Sequence, residues 1–299
     1  MTFPRRRQLW GVTLTMSAAL FFALKTILAK LAYLQGAAPL ELLALRMLVA
    51  GSIFGAIAGV NLARGRWKLD LSPKQWALIL LLGVGGYYLC SFLDFAGLYY
   101  IDASLGRMIL FLYPTLVVLI NAFLAKSAIS RSTLLALFVS YAGLFLMVSP
   151  NLKIDPDLNF WKGSSLVFLS ALIYAFYLTG VDWFFRRAPM AFFISITMLV
   201  STAAVLVNYA LVRDFSALFA LNGEIYVYAL LLGVFATVIP VYAMSLGIAL
   251  IGASKAAMYN MIGPIATLIM GAVFLSERLG PVEIMGMALI LLGVTRIRG

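Results

Sequence analysis

The sequence predicts an all-α integral membrane protein: ten transmembrane helices arranged as two inverted five-helix repeats, residues 1–150 and 151–299. Three observations carry that prediction. The first is composition. Of 299 residues, 64% are apolar and 11% charged, and the mean hydropathy is +1.05. A soluble domain has about 25% charged residues, so this chain lacks the polar surface that water requires. The second is segmentation into ten apolar runs, at about 9–34, 40–63, 75–99, 103–125, 132–149, 163–185, 190–212, 225–249, 253–275 and 282–297. About 20 apolar residues cross roughly 30 Å of hydrocarbon, and only the fifth and tenth runs are short. The third is self-similarity at a fixed offset.

Shifting the chain by 150 residues places Leu80-Leu81-Leu82-Gly83-Val84 on Leu230-Leu231-Leu232-Gly233-Val234. Without a gap, Gly97 then falls on Gly247, Ala103-Ser104 on Ala253-Ser254, Met108 on Met258 and Pro114 on Pro264. The same shift carries Pro39 onto Pro189 and Gly143 onto Gly293. Leucine and alanine matches are cheap in an apolar chain, so the glycines and prolines carry the weight. A period of half the length means two copies of one unit. Five helices per copy is an odd number, so the second copy enters the bilayer upside down. Inverted repeats of this kind are a common plan of secondary transporters, with the substrate site near the midplane.

Taken in order, run 1 follows Arg5-Arg6-Arg7 and resembles a signal peptide, but it is too long for an h-region and reads as the first membrane helix. Run 2 is opened by the segment from Pro39 to Arg46. Run 3 contains Gly83-Val84-Gly85-Gly86, which lacks the Lys-Ser/Thr of a phosphate loop. Runs 4 and 9 carry Pro114 and Pro264 at equivalent mid-helix places; each removes a backbone hydrogen bond. The pair suits hinges or gates, or a static kink that widens a cavity. Run 6 presents Gly163, Val167, Ser170, Tyr174 and Tyr177 along one face. An offset of 152 aligns run 1 with it and sets Lys25 opposite Tyr177 and Phe22 opposite Tyr174. Run 9 has Gly252, Ala256 and Asn260 along one line; the amide needs a partner in lipid, either a substrate or another helix. Cys90 reads as a small core residue, whereas Tyr33, Tyr99, Tyr100 and Tyr226 sit at run ends, as interfacial belts do.

The net charge of +11 lies mostly in loops, which argues for orientation in a bilayer and against a nucleic-acid partner. One side collects Arg5, Arg6, Arg7, Arg64, Arg66, Lys68, Lys74, Lys126, Arg131, Arg186, Arg187, Arg296 and Arg298. The other has Lys153, Lys162, Arg213 and Arg278. Thirteen against four places both termini in the cytoplasm.

Within the runs, Lys30 and Lys255 lie near ends and can snorkel. Lys25, Arg46, Asp94 and Arg107 all fall in the outer half of the membrane, where an ionisable group is expensive and faces a protein interior. One acid among three bases leaves positive charge that can hold a substrate carboxylate. The alternative is a salt bridge between Asp94 and Arg107 or Lys25. Arg46 suggests a structural pair with Glu41, and Arg107 a gate or helix tie. Asp94 is also the only acid well inside a run, and so the only candidate proton relay.

Two five-helix halves, the Pro39-to-Arg46 segment and the Ala-Ser…Pro pattern of runs 4 and 9 resemble the drug/metabolite transporter superfamily. Within it the chain is most similar to the EamA-type exporters, in particular the aromatic amino-acid exporters. That resemblance implies a ten-helix bundle in a bacterial inner membrane that moves small metabolites outward by alternating access, with no cofactor. The expected partners are membrane lipids and an amino acid, its carboxylate near Lys25 and Asp94 and its side chain among Tyr88, Tyr113, Tyr174, Tyr177, Tyr242 and Asn260. Arg107, Pro114 and Pro264 would gate. Drug efflux and sugar-phosphate or nucleotide-sugar transport are the alternatives in the same superfamily; surplus base disfavours cationic drugs and suits phosphates. An intramembrane enzyme is disfavoured by the lack of histidine and of a nucleophile beside a base. A non-transporting scaffold is the remaining alternative.

Overall fold

The computed structural model describes residues 5–67, 71–98, 100–101, 103–151, 158–185, 189–275 and 279–296. Lys68, Tyr99, Lys153, Arg186, Arg187, Arg278 and Arg298, which entered the sequence reading, lie outside the described residues. Every regular element described is helical. α1 (Arg5–Leu34) and α2 (Pro39–Ala63) are uninterrupted. α3 runs through Pro73–Gly83, a π-helical stretch Val84–Leu89 and Cys90–Leu98. α4 is two pieces, Ala103–Leu110 and Tyr113–Ala125. Then come α5 (Arg131–Val148), α6 (Leu158–Phe185) and α7 (Met190–Val212). α8 repeats the plan of α3, as Gly223–Gly233, a π stretch Val234–Val238 and Ile239–Ile251. α9 is broken like α4, into Ala253–Tyr259, a 3₁₀ turn Asn260–Ile262 and Gly263–Leu275; α10 is Pro281–Thr295.

Among the described residues nine helical runs are long and apolar enough to cross a membrane, and Pro281–Thr295 is shorter. Phe123 and Leu211, 83% and 82% exposed, show an exterior that water would not tolerate. The chain is an integral, multi-pass membrane protein. Its helices begin and end for local reasons. Ser72 accepts from Gln75 N and Ser130 from Thr133 N, each supplying an acceptor to a free first-turn donor. Gly252 takes φ +81° between α8 and α9, a conformation that glycine alone adopts readily. That glycine is therefore the link before α9, not part of the face the sequence assigned to it.

The halves exchange partners. α1 packs on α8 and α9, and α6 packs on α3 and α4. At the α3–α6 crossing a Cβ on Gly97 would lie 2.8 Å from Gly163 O and against Val167. At the α8–α1 crossing a Cβ on Gly247 would meet Thr15 and lie 3.2 Å from Gly11 O. The offsets of 150 and 152 map one contact onto the other. α5 meets α10 the same way. A Cβ on Gly143 would lie 2.6 Å from Gly286 O and 2.7 Å from Ile290 N, and Gly293 abuts Ser140. Close approach of backbones without side chains between them is how helices associate where lipid offers no hydrophobic drive.

Candidate functional site

The site forms where α3 and α6 cross, because α3 changes its winding there. A π turn inserts an extra residue, rotates the following face and strands a carbonyl, and such turns concentrate at functional sites. In α3 the Ser201 hydroxyl of α7 donates to Gly83 O, and the Ser170 hydroxyl of α6 donates to Cys90 O at 2.7 Å. In α8 the Thr237 hydroxyl donates to Leu232 O at 2.9 Å. The carbonyls beside the irregular turns are thereby satisfied, as buried backbone must be in lipid.

Around this crossing stand four tyrosines from three helices. Tyr87 meets Tyr177 edge-on at 5.4 Å, Tyr177 stacks on Tyr174 at 6.3 Å, and Tyr174 meets Tyr113 edge-on at 5.1 Å. Asn260, at the break in α9, donates through Nδ2 to the Tyr113 hydroxyl at 2.6 Å. Gly86 has no side chain because the Tyr177 ring occupies that space: a Cβ would lie 2.7 Å from Tyr177 Cγ. Tyr113, Tyr177 and Asn260 are buried, whereas Tyr87 and Tyr174 are half-buried.

Next to the tyrosines lie the charges. Lys25 is exposed, and Arg46, Cys90 and Asp94 are half-buried. Cys90 lies within electrostatic reach of Lys25, Arg46 and Asp94 alike, and donates to Gly86 O at 2.7 Å. Among the described residues no ion pair joins these three charges to one another or to any other side chain. Arg46 Nε and Asn260 Oδ1 are buried with no hydrogen-bond partner among the described residues. Buried polar groups are paired in the great majority of cases, so the two unpartnered atoms near this crossing make it the candidate site.

Most of the predicted residues converge here: Lys25, Asp94, Tyr113, Tyr174, Tyr177 and Asn260. Tyr88 does not. Its hydroxyl accepts from Asn208 Nδ2 of α7 at 2.8 Å, and Tyr87 takes the place expected for it, because the π turn rotates the face. Tyr242 stacks on Phe54 of α2 at 5.6 Å, apart from the tyrosine chain. Glu41 does not hold Arg46; its carboxylate accepts from Ala38 N at 3.0 Å and caps α2. Arg46 instead neighbours Tyr33, Tyr87 and Cys90. Tyr100, read as an interfacial residue, lies under Lys162 Nζ at 4.4 Å. Pro114 and Pro264 open the second pieces of α4 and α9, just past each break; Arg107 sits one turn before the break in α4. Tyr87, Cys90 and Arg46 are residues of the candidate site that the sequence does not single out for it.

The description "EamA-like transporter family" matches residues 9–149 and again 161–298. The chain is 30% identical over 286 residues to the uncharacterized transporter YcbK of Bacillus subtilis (strain 168), covering 92% of this chain and 88% of that one. It is 27% identical over 263 residues to an uncharacterized transporter of Archaeoglobus fulgidus, covering 86% and 87%. A solved structure, described only as the crystal structure of a protein, superposes with a TM-score of 0.81 at 18% identity over 96% of this chain and 97% of that one. At that identity the likeness shows the fold.

Proposed function

The chain belongs to the EamA-like transporter family, and on that premise we propose that it exports amino acids, aromatic or neutral, across a bacterial inner membrane by alternating access. The observation that carries the reading is the juxtaposition at the α3–α6 crossing: charges without partners beside a chain of tyrosines. Two cations suit a carboxylate, and aromatic faces suit an apolar or aromatic side chain. The exchanged and matching crossings between residues 1–150 and 151–299 support two copies related by an axis in the membrane plane. In this reading α10 completes ten membrane helices, both termini are cytoplasmic, and Lys25 and Asp94 lie toward the outer face. The matched breaks before Pro114 and Pro264, with Arg107 nearby, are where the two sides would open in turn.

Counterflow in liposomes containing the purified protein tests this. Labelled phenylalanine is expected to exchange, with methionine and threonine weaker and a phosphate ester without effect. Lys25→Ala and Tyr177→Ala are each expected to raise the half-saturating concentration about tenfold, the scale of losing one charge-assisted contact or an aromatic pair. Exchange of the phosphate ester but not of amino acids would select the sugar-phosphate reading, which the surplus of base also suits.

A further inference from the structure

We propose that Arg46 and Asp94 read the two charged groups of a zwitterionic head group: Arg46, seconded by Lys25, takes the carboxylate, and Asp94 takes the ammonium. This rests on the amino-acid reading above and deepens it by naming the form of substrate recognised. Three charges share one space around Cys90, yet among the described residues none has an ion-pair partner. A helix tie would bring Lys25 and Asp94 into contact, and they are near each other without pairing. The Arg46 Nε is buried and unbonded, although a guanidinium has five donors that match an oxyanion in fixed geometry. Glu41, the nearest acid along the chain, is spent on the cap of α2. The second half offers no duplicate: the positions equivalent to Arg46 and Asp94 at offset 150 are Ile196 and Met244, and Tyr177 stands opposite Lys25. The head-group site is therefore one-sided, and the tyrosines of α6 face it with the surface that an amino-acid side chain needs.

The test is competition against labelled L-phenylalanine in liposomes containing the full chain. 3-Phenylpropionate keeps the carboxylate alone, and 2-phenylethylamine the ammonium alone. With the unaltered protein each is expected to compete at least tenfold less well than phenylalanine, a measurement that needs no variant. Arg46→Gln is expected to raise the half-saturating concentration for phenylalanine at least tenfold and to erase the preference for phenylalanine over 2-phenylethylamine. Asp94→Asn is expected to erase the preference over 3-phenylpropionate instead. Arg46→Lys, which retains charge, is the check should Arg46→Gln not fold, and is expected to be intermediate. Competition by either single-charge analogue as strong as that by phenylalanine itself, or variants with unaltered selectivity, would overturn the head-group assignment while leaving amino-acid export standing. No exchange of any amino acid by the unaltered protein would overturn both.

Discussion

Gly86→Val is expected to reduce phenylalanine exchange roughly five- to a hundredfold while the protein still inserts and purifies. The reason is local. Gly86 lies in the π stretch of α3, and the Tyr177 ring fills the space where its side chain would be, with Tyr177 Cγ 2.7 Å from an ideal Cβ. Valine adds two methyl groups beyond that Cβ, so the ring must leave. Tyr177 then loses its contacts with Tyr87 and Tyr174. Aromatic pairs contribute about 0.5–1.5 kcal/mol each, and every 1.4 kcal/mol is tenfold in affinity. Two lost pairs thus correspond to roughly five- to a hundredfold. Liposome counterflow reads the result directly, and exchange at the unaltered rate would mean that the position of Tyr177 does not matter to the substrate.

Gly143→Leu is expected to have the larger effect on stability. α5 and α10 touch through backbone, with Gly286 O and Ile290 N at 2.6 and 2.7 Å from the position of a Gly143 Cβ. No rotamer relieves a clash with main chain, so the helices must separate. Overpacking ordinarily costs about 1–3 kcal/mol, and forcing two backbones apart belongs at the upper end or beyond. The thermal midpoint in detergent should fall by many degrees, or folded protein should not be recovered. Gly59 on α2 has nothing within 4 Å of its Cβ position, so Gly59→Leu is the control and should leave the midpoint unchanged. Equal midpoints for the two variants would show that α5 and α10 do not pack as described.

These two glycines also show why the fold was more legible than the site. Glycine at a helix crossing records a backbone contact, so the match of Gly97 with Gly247 and of Gly143 with Gly293 tracks real crossings and survives among interchangeable leucines. Tyr174 and Tyr177 were readable for a related reason: α6 is regular, and steps of three and four keep one face. α3 is not regular. Its π stretch turns the face by a residue, so Tyr88 looked inward on paper while Tyr87 does so in space. Cys90 reads as filler because its neighbours in sequence are apolar, yet Lys25 and Arg46 reach it from other helices. Proximity along the chain suggests Glu41 as the partner of Arg46. The Ala38 amide, one of the free donors of the first turn, holds that carboxylate instead.

The placement of every charge and gate proposed above depends on the proposal that two copies of one five-helix unit are inserted in opposite senses. Reporter tags at Asn151, between the halves, and after Gly299 measure this directly in intact cells. The expected result is a tag at Asn151 reachable from outside and one after Gly299 reachable only once the membrane is permeabilised. Both tags on the same face would contradict it.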